Sequence, residues 1–440
     1  MKNQEPSAWK KTIIAAMTSY IDAGSIVAGA AGLSLWQAYL GMDGMQLGLL
    51  GALSSNAGSA AVGALIGGRL CDKYGRKFVY TYDLLVYIIG MLFIVFGVNY
   101  PMLLCGYIIV GLGVGADVVA SWTMIAEEAP AENRAKHCGS AQFAWALGPA
   151  VVLLLSVFVN NWGLLGNRLV FGHLIIVAAW VWYQRLRMPE SKDWQEAKKK
   201  ENELLATGRL EKPSYSVLFS GINLKTVLFL CGVYSIWNLC ASTWGFFMPY
   251  IFEHVGNLSN AMSNALQVGS FVISILATFF IFMGLGDRVN RKLLYFVIGA
   301  IYVVGWSMWL LPPEAMTMGM VFAFTAFAGI NNGAGQQAFY QLWCSELFPS
   351  RYRATAQGFT FFVTRFAAAV WAFAFPIIME SLGFRYAVVL MVAFAAISLL
   401  IGTIGAPDTS GKTLEQIEEE RYGTKYAQEL SANAQEETSC

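Results

Sequence analysis

Of 440 residues, 56% are hydrophobic and only 13% charged, against about 25% charged in soluble domains, which excludes a water-soluble globular protein. Lysine plus arginine (29) and aspartate plus glutamate (28) leave a formal charge of +1, so the balance calls for no nucleic acid and no acidic partner, and charge has to be read by position. Seven scattered cysteines without a Cys-x-x-Cys spacing, and the dispersed His137, His173 and His254, exclude a disulfide framework and a clustered metal site, and no cofactor is implied.

The chain opens on a short polar head ending in Lys10 and Lys11, followed by an apolar run too long for a signal-peptide core, so the first helix is expected to stay in the mature protein. A helix needs roughly 20 predominantly apolar residues to cross the hydrocarbon core. Such runs lie near 12–35, 46–68, 78–98, 101–124, 138–159 and 166–186, then near 225–250, 264–284, 292–311, 317–343, 354–379 and 384–405. Strand alternation is absent, and backbone groups in lipid must be satisfied within each segment. The prediction is an all-α membrane protein with twelve spans: an N-terminal six-helix bundle (1–186), a polar linker with short amphipathic helices (187–224), a C-terminal six-helix bundle (225–405) and a short acidic tail (406–440).

Lys10 and Lys11 precede helix 1. Arg69, Lys73, Arg76 and Lys77 lie between helices 2 and 3, Arg134 and Lys136 between 4 and 5, Arg288, Arg291 and Lys292 between 8 and 9, and Arg351 and Arg353 between 10 and 11. With twelve spans all of these fall on one side, which predicts cytoplasmic termini. The same loops carry an internal repeat. Asp72/Arg76/Lys77 of GGRLCDKYGRK recur with identical spacing as Asp287/Arg291/Lys292 of GLGDRVNRK, and Glu127/Pro130/Arg134 recur as Glu346/Pro349/Arg353. A duplicated six-helix unit is what a carrier that rocks two bundles about a central site requires.

At these residues the chain resembles the major facilitator superfamily, and within it the sugar porters. The likeness rests on GRLCDKYGRK (68–77), the Glu127 to Arg134 and Glu346 to Arg353 motifs, MPESKDW (188–194) after helix 6 and PDTSGKTLEQIEE (407–419) after helix 12, in the expected order. It implies alternating access around a mid-membrane site lined by helices 1, 4, 5, 7, 8, 10 and 11. It also implies that Asp72 with Arg76, Glu127 with Arg134, and their counterparts Asp287, Arg291, Glu346 and Arg353 form cytoplasmic charge networks that hold the outward-open state.

Ionisable groups within spans are costly and mark function; Asp22 in helix 1, Asp117 in helix 4 and Arg365 in helix 11 stand out. Asp22 in SYIDAGS resembles the proton-accepting aspartate of coupled sugar porters. Their helix 4 arginine partner is replaced here by Tyr107. Asp117 and Arg365 are candidates to compensate: Arg365 either pairs with Asp22 or Asp117, or binds an oxyanion of the substrate through two parallel hydrogen bonds. Gln142 matches a sugar-contacting glutamine of the family. Trp237 and Asn238 in helix 7, Gln267 in helix 8, and Asn331, Asn332, Gln336 and Gln337 in helix 10 add amides and a ring suited to a polyhydroxylated ligand. The glycine runs, GLGVGA (111–116) among them, are read as helix-packing surfaces.

No nucleophile with a base and no His pair is apparent, so an enzyme is not expected. The reading is a monomeric, multi-pass importer of a cell inner membrane that uses protons to carry a sugar or cyclic polyol. A carrier of a sugar acid or other small organic anion is the alternative, and a transport-dead nutrient sensor a distant one.

Overall fold

The computed structural model describes residues 7–53, 57–206, 215–254, 256, 258–312 and 317–431. Parts of the predicted linker (207–214) and tail (432–440, with Cys440) lie outside the described residues. Seven helices make the first half: α1 (Ala8–Leu40), α2 (Gly44–Ala52), α3 (Gly58–Tyr74), α4 (Arg76–Val95), α5 (Tyr100–Glu128), α6 (Arg134–Val159) and α7 (Gly163–Leu186). The linker helix α8 (Lys192–Ala206) follows. The second half comprises α9 (Gly221–His254), α10 (Asn260–Ala277), α11 (Met283–Leu285), α12 (Arg291–Met308), α13 (Met318–Ala334), α14 (Gln336–Glu346), α15 (Arg353–Leu382) and α16 (Phe384–Gly405), before the tail helix α17 (Leu414–Ser431).

Among the described residues ten helical segments are long and apolar enough to span a membrane alone, one of them, Ala265–Leu285, running from α10 through α11. The tenth crossing is assembled from two pieces, α13 with α14, and the predicted second run (46–68) is covered by α2 and α3. The tenth breaks at Gly335, which leaves helical geometry (ψ −140°); a Cβ there would stand 2.5 Å from the Asn331 carbonyl oxygen. The eighth crossing holds a π-helical turn, Thr278–Phe282, between α10 and α11. The Thr278 hydroxyl bonds the carbonyls of Ser274 and Gly333, each at 2.8 Å, tying this turn to α13. Side-chain caps start several crossings where the sequence leaves a loop: Asn99 for α5, with Pro101 in its first turn, Asn290 for α12 and Thr317 for α13.

Within the first half α5 packs between α3 and α4, and the GLGVG run permits it: a Cβ on Gly115 would lie 2.1 Å from the Ala60 carbonyl. The halves meet along two crossings related by the internal repeat, α3 against α15 and α6 against α10 and α11. All four predicted loop motifs gather at one end of these crossings, called here the motif face. There the α3 and α15 backbones touch, since a Cβ on Gly358 would fall 2.3 Å from Ala64 O and one on Gly68 2.3 Å from Ala354 O. A side chain at Gly358 must force the halves apart. Gly358→Leu is therefore expected to yield a folded protein without active uptake, its motif face open to aqueous thiol reagents at an introduced cysteine. Overpacking of this kind costs about 1–3 kcal/mol or more. Wild-type uptake by this variant would contradict the contact.

Candidate functional site

At the motif face the repeat becomes a pair of symmetric ion networks. Arg76 grips Glu127 with Nη2 at 2.7 Å and Nε at 3.1 Å, and Asp72 at 3.1 Å. In the second half Arg291 reaches both Glu346 oxygens at 3.1 Å and Asp287 at 3.1 Å. The remaining arginines cross over: Arg353 binds Glu127 at 2.7 Å and Arg134 binds Glu346 at 3.2 Å. The pairing within a motif suggested by sequence, Glu127 with Arg134, is thus exchanged between halves, because the two acidic helix ends face each other across the interface. Asp72 accepts the N–H groups of Ala354 and Thr355 at the start of α15, and Asp287 those of Ala135 and Lys136 at the start of α6. Each aspartate therefore caps a helix of the other half, where the unpaired N–H groups and the helix dipole favour an anion.

The motifs of the linker and tail seal this face. Glu190 accepts the N–H groups of Arg76 and Lys77, each at 3.0 Å, and Trp194 Nε1 donates to Asp72 O at 3.1 Å. From the tail, Thr409 Oγ1 and Lys412 O receive Arg291 and Arg134 at 2.9 and 3.0 Å. On α8, burial and then the neighbouring Glu127 push Asp193 from 3.8 up to about 6, against the pull of Arg353. A carboxyl whose pKa is raised on docking favours the docked state below its ordinary value, and this contribution is lost as pH rises through the docked value. Amide hydrogen exchange in α8, corrected for intrinsic rates, is expected to be slower below about pH 4 than above about pH 6, and Asp193→Asn should remove the difference.

At mid-depth the halves are joined by a different pair. With a rise of about 1.5 Å per residue, Asp22 lies roughly 16 Å along α1 from Lys11, and Arg365 roughly 18 Å along α15 from Arg353. Arg365 Nη2 stands 3.7 Å from Asp22 Oδ2, and its guanidinium lies 4.7 Å from the Phe361 ring centroid. Asp22 is 2% exposed, and its Oδ1 accepts no hydrogen bond among the described residues. Of the two partners open to Arg365 from sequence, the geometry selects Asp22.

Several of the predicted amides are brought together by hydrogen bonds. Trp237 Nε1 donates to Asn331 Oδ1 and Asn331 Nδ2 to Gln336 Oε1, both at 2.7 Å. Gln142 Nε2 crosses from α6 to Asn332 O at 2.7 Å, and Gln341 Nε2 reaches Gln142 Oε1 at 3.4 Å. The bend at Gly335 lets α13 and α14 present these amides from consecutive turns. Tyr234 stacks on Tyr340 at 4.1 Å, and Trp122 meets Tyr340 and Phe361 edge-on, placing an aromatic floor towards the motif face. Gln337 is buried on α14 and Asn238 on α9 receives the Ser242 hydroxyl at 3.3 Å. Gln267 on α10 is half-buried, and its Oε1 takes no hydrogen bond among the described residues.

Asp117 belongs to a separate cluster within the first half. Arg185, at the end of α7 and 0% exposed, binds Asp117 Oδ1 at 2.7 Å and Asp83 Oδ1 at 3.4 Å. Its guanidinium also lies 3.7 Å from the Tyr80 ring centroid. Sequence reasoning passed over Arg185 because the last residue of a span reads as an interfacial cation, and over Asp83 because it lies near the start of one. The available signal was that both fall inside predicted spans, Asp83 in 78–98 and Arg185 in 166–186, where an ionisable group is costly. Gln341 and Trp122 were missed for another reason: on helices this apolar nothing in sequence tells an inward residue from a packed one.

Fold and site together define a two-bundle membrane carrier, closed at its motif face and holding a polar site between its halves. The chain belongs to the Major Facilitator Superfamily, whose sequence profile matches residues 12–372 and 245–434. It is similar to the minor myo-inositol transporter IolF of Bacillus subtilis, with 51% identity over 420 residues and 95% of each chain covered. The major myo-inositol transporter IolT of that organism is 25% identical over 406 residues, covering 82% of this chain and 83% of IolT. Among solved structures the proton:xylose symporter XylE, bound to 6-bromo-6-deoxy-D-glucose, superposes with a TM-score of 0.80 at 18% identity, over 93% of this chain and 98% of XylE.

Proposed function

We propose that the chain imports a neutral cyclic polyol of the myo-inositol class, or a sugar, by proton symport, with Asp22 as the proton-carrying group. The observation that carries this reading is the ion pair between Asp22 and Arg365, which joins the two halves at mid-depth while one Asp22 oxygen stays unbonded. Protonation of Asp22 dissolves the pair and releases Arg365 and the neighbouring amides to substrate hydroxyls, so proton and substrate favour each other's binding. With Asp22 ionised and Arg365 drawn to substrate, the carboxylate would be buried unpaired, an arrangement costing several kcal/mol. That penalty disfavours passage of substrate alone, and Arg365 stranded beside a neutral Asp22 disfavours passage of the proton alone.

The 51% likeness to an inositol transporter supports the substrate class, and the likeness to XylE supports the fold in which coupling of this kind works. The residues proposed to meet substrate are Gln142, Trp237, Asn238, Gln267, Asn331, Asn332, Gln336, Gln337 and Arg365. The motif face is proposed to be cytoplasmic, as its lysines and arginines favour, in a cell inner membrane. The two halves, 1–186 and 225–405, move as bodies about the linker, and because one chain supplies both walls of the site a monomer suffices.

In proteoliposomes, an inward myo-inositol gradient is expected to acidify the lumen, read with an enclosed pH dye. Equilibration of labelled myo-inositol without any pH change would establish uniport and refute the symport reading. Arg365 already faces a carboxylate of its own chain, which weighs against an anionic substrate. Arg365→Gln should accordingly lose accumulation while uptake stays inhibited by neutral polyols rather than by acidic analogues. A switch in that competition order would restore the anion reading.

A further inference from the structure

The cluster around Arg185 contains more negative charge than it can balance. Asp22 and Arg365 offset one another, but among the described residues Arg185 alone faces both Asp83 and Asp117, whose side chains are 1% and 3% exposed. An uncompensated charge in such surroundings costs several kcal/mol, and the geometry shows which acid is short of support. Arg185 Nη1 has two hydrogens to give and three oxygens around it: Asp117 Oδ1 at 2.7 Å, Tyr80 O at 3.2 Å and Asp83 Oδ1 at 3.4 Å. Asp117 Oδ1 also receives the Ser121 hydroxyl at 2.7 Å. Asp83 keeps the longest of these contacts and the N–H of Leu84, while its Oδ2, buried, has no donor among the described residues. Thr18 and Ser121, which Arg185 Nη2 reaches, are neutral, and Tyr80 adds only the face of its ring.

We propose that Asp83 and Asp117 hold one proton between them, sited on Asp83, so that the pair beside Arg185 is a proton-binding site separate from Asp22. The proton makes the cluster neutral and turns the donorless Asp83 carboxylate into a group that can itself donate. The site is also placed to communicate with α1. The Ser121 hydroxyl that donates to Asp117 lies 2.7 Å from Thr18 Oγ1, and Thr18 precedes Asp22 by one helical turn on the side of the motif face. A proton lodged here therefore stands between Asp22 and that face, within reach of a hydroxyl path.

The test reads the proton itself and does not depend on how transport is coupled. Infrared spectra of the full chain in lipid nanodiscs at neutral pH should contain the carbonyl stretch of a buried, protonated carboxyl group. It is expected in the wild type and in Asp22→Asn and to be lost in Asp83→Asn. Thermal unfolding supplies the second measurement. Asp83→Asn imitates the neutral acid and should unfold within a few degrees of the wild type, whereas Asp117→Asn strips Arg185 of its charged partner and should unfold well below it. Absence of the band from the wild type, or its survival in Asp83→Asn, overturns the proposal. So does an Asp83→Asn protein that unfolds as early as Asp117→Asn or does not fold. A rise in the wild-type midpoint with sodium over choline, missing from Asp83→Asn, would assign the site to sodium and equally defeat it.

Discussion

Asp22→Asn is expected to abolish uphill accumulation of substrate, bringing the internal-to-external ratio down to unity under a proton gradient, while exchange of labelled for unlabelled substrate continues at a rate near wild type. The two readouts separate because they use different parts of the cycle. Exchange needs only the substrate-loaded carrier, in which Asp22 is neutral, and asparagine is neutral with nearly the same shape. Accumulation needs the empty carrier to return with Asp22 ionised against Arg365, and asparagine cannot make that pair. Removing one partner of a buried pair costs about 3–5 kcal/mol, mostly by stranding the other charge. Arg365 is the stranded group here, so return of the empty carrier should slow while the loaded form is spared. Accumulation at the wild-type ratio in Asp22→Asn would place the coupling group elsewhere.

The second large effect is expected at the motif face. Glu127 holds Arg76 of its own half and, across the interface between the halves, Arg353, each at 2.7 Å. Glu127→Gln leaves two guanidinium groups buried at a site that lost its charge, but only while the face is closed, since opening returns both to water. The cost of about 3–5 kcal/mol therefore falls on one conformation. At about 1.4 kcal/mol per factor of ten, the equilibrium should move by roughly a hundredfold or more towards the form open at this face. Labelling of a cysteine introduced on α15 near Thr355 by a membrane-impermeant thiol reagent should accelerate from this side in Glu127→Gln, and active uptake should fall. Glu346→Gln, the repeat-related change, should act alike because Arg291 and Arg134 bind it in the same way. Unaltered labelling in both variants would mean that the networks do not hold the closed state.

Much of this was legible in the sequence because lipid imposes simple rules. Twelve apolar runs, the one-sided placement of lysine and arginine, and two motifs repeated at equal spacing are properties of single segments, and the helices follow from them. The repeat by itself implies symmetric networks, since equal spacing places equal charges at equivalent helix ends. The split of the tenth crossing was not visible, since Gly335 in the stretch NNGAGQQ (331–337) does not declare that the Asn331 carbonyl will crowd it.

What the sequence determined by itself is an all-α carrier with twelve crossings, two related halves, and charged groups at the right depth to be costly. What only the tertiary structure decided is which charge meets which. Glu127 pairs with Arg353 rather than with the arginine of its own motif, Arg365 turns to Asp22, and Arg185 claims both Asp83 and Asp117. Helix periodicity fixes where a side chain lies along its own axis. The partner depends on how helices distant in sequence rotate and pack, and in a medium that cannot solvate a charge, that packing alone determines how each one is neutralised.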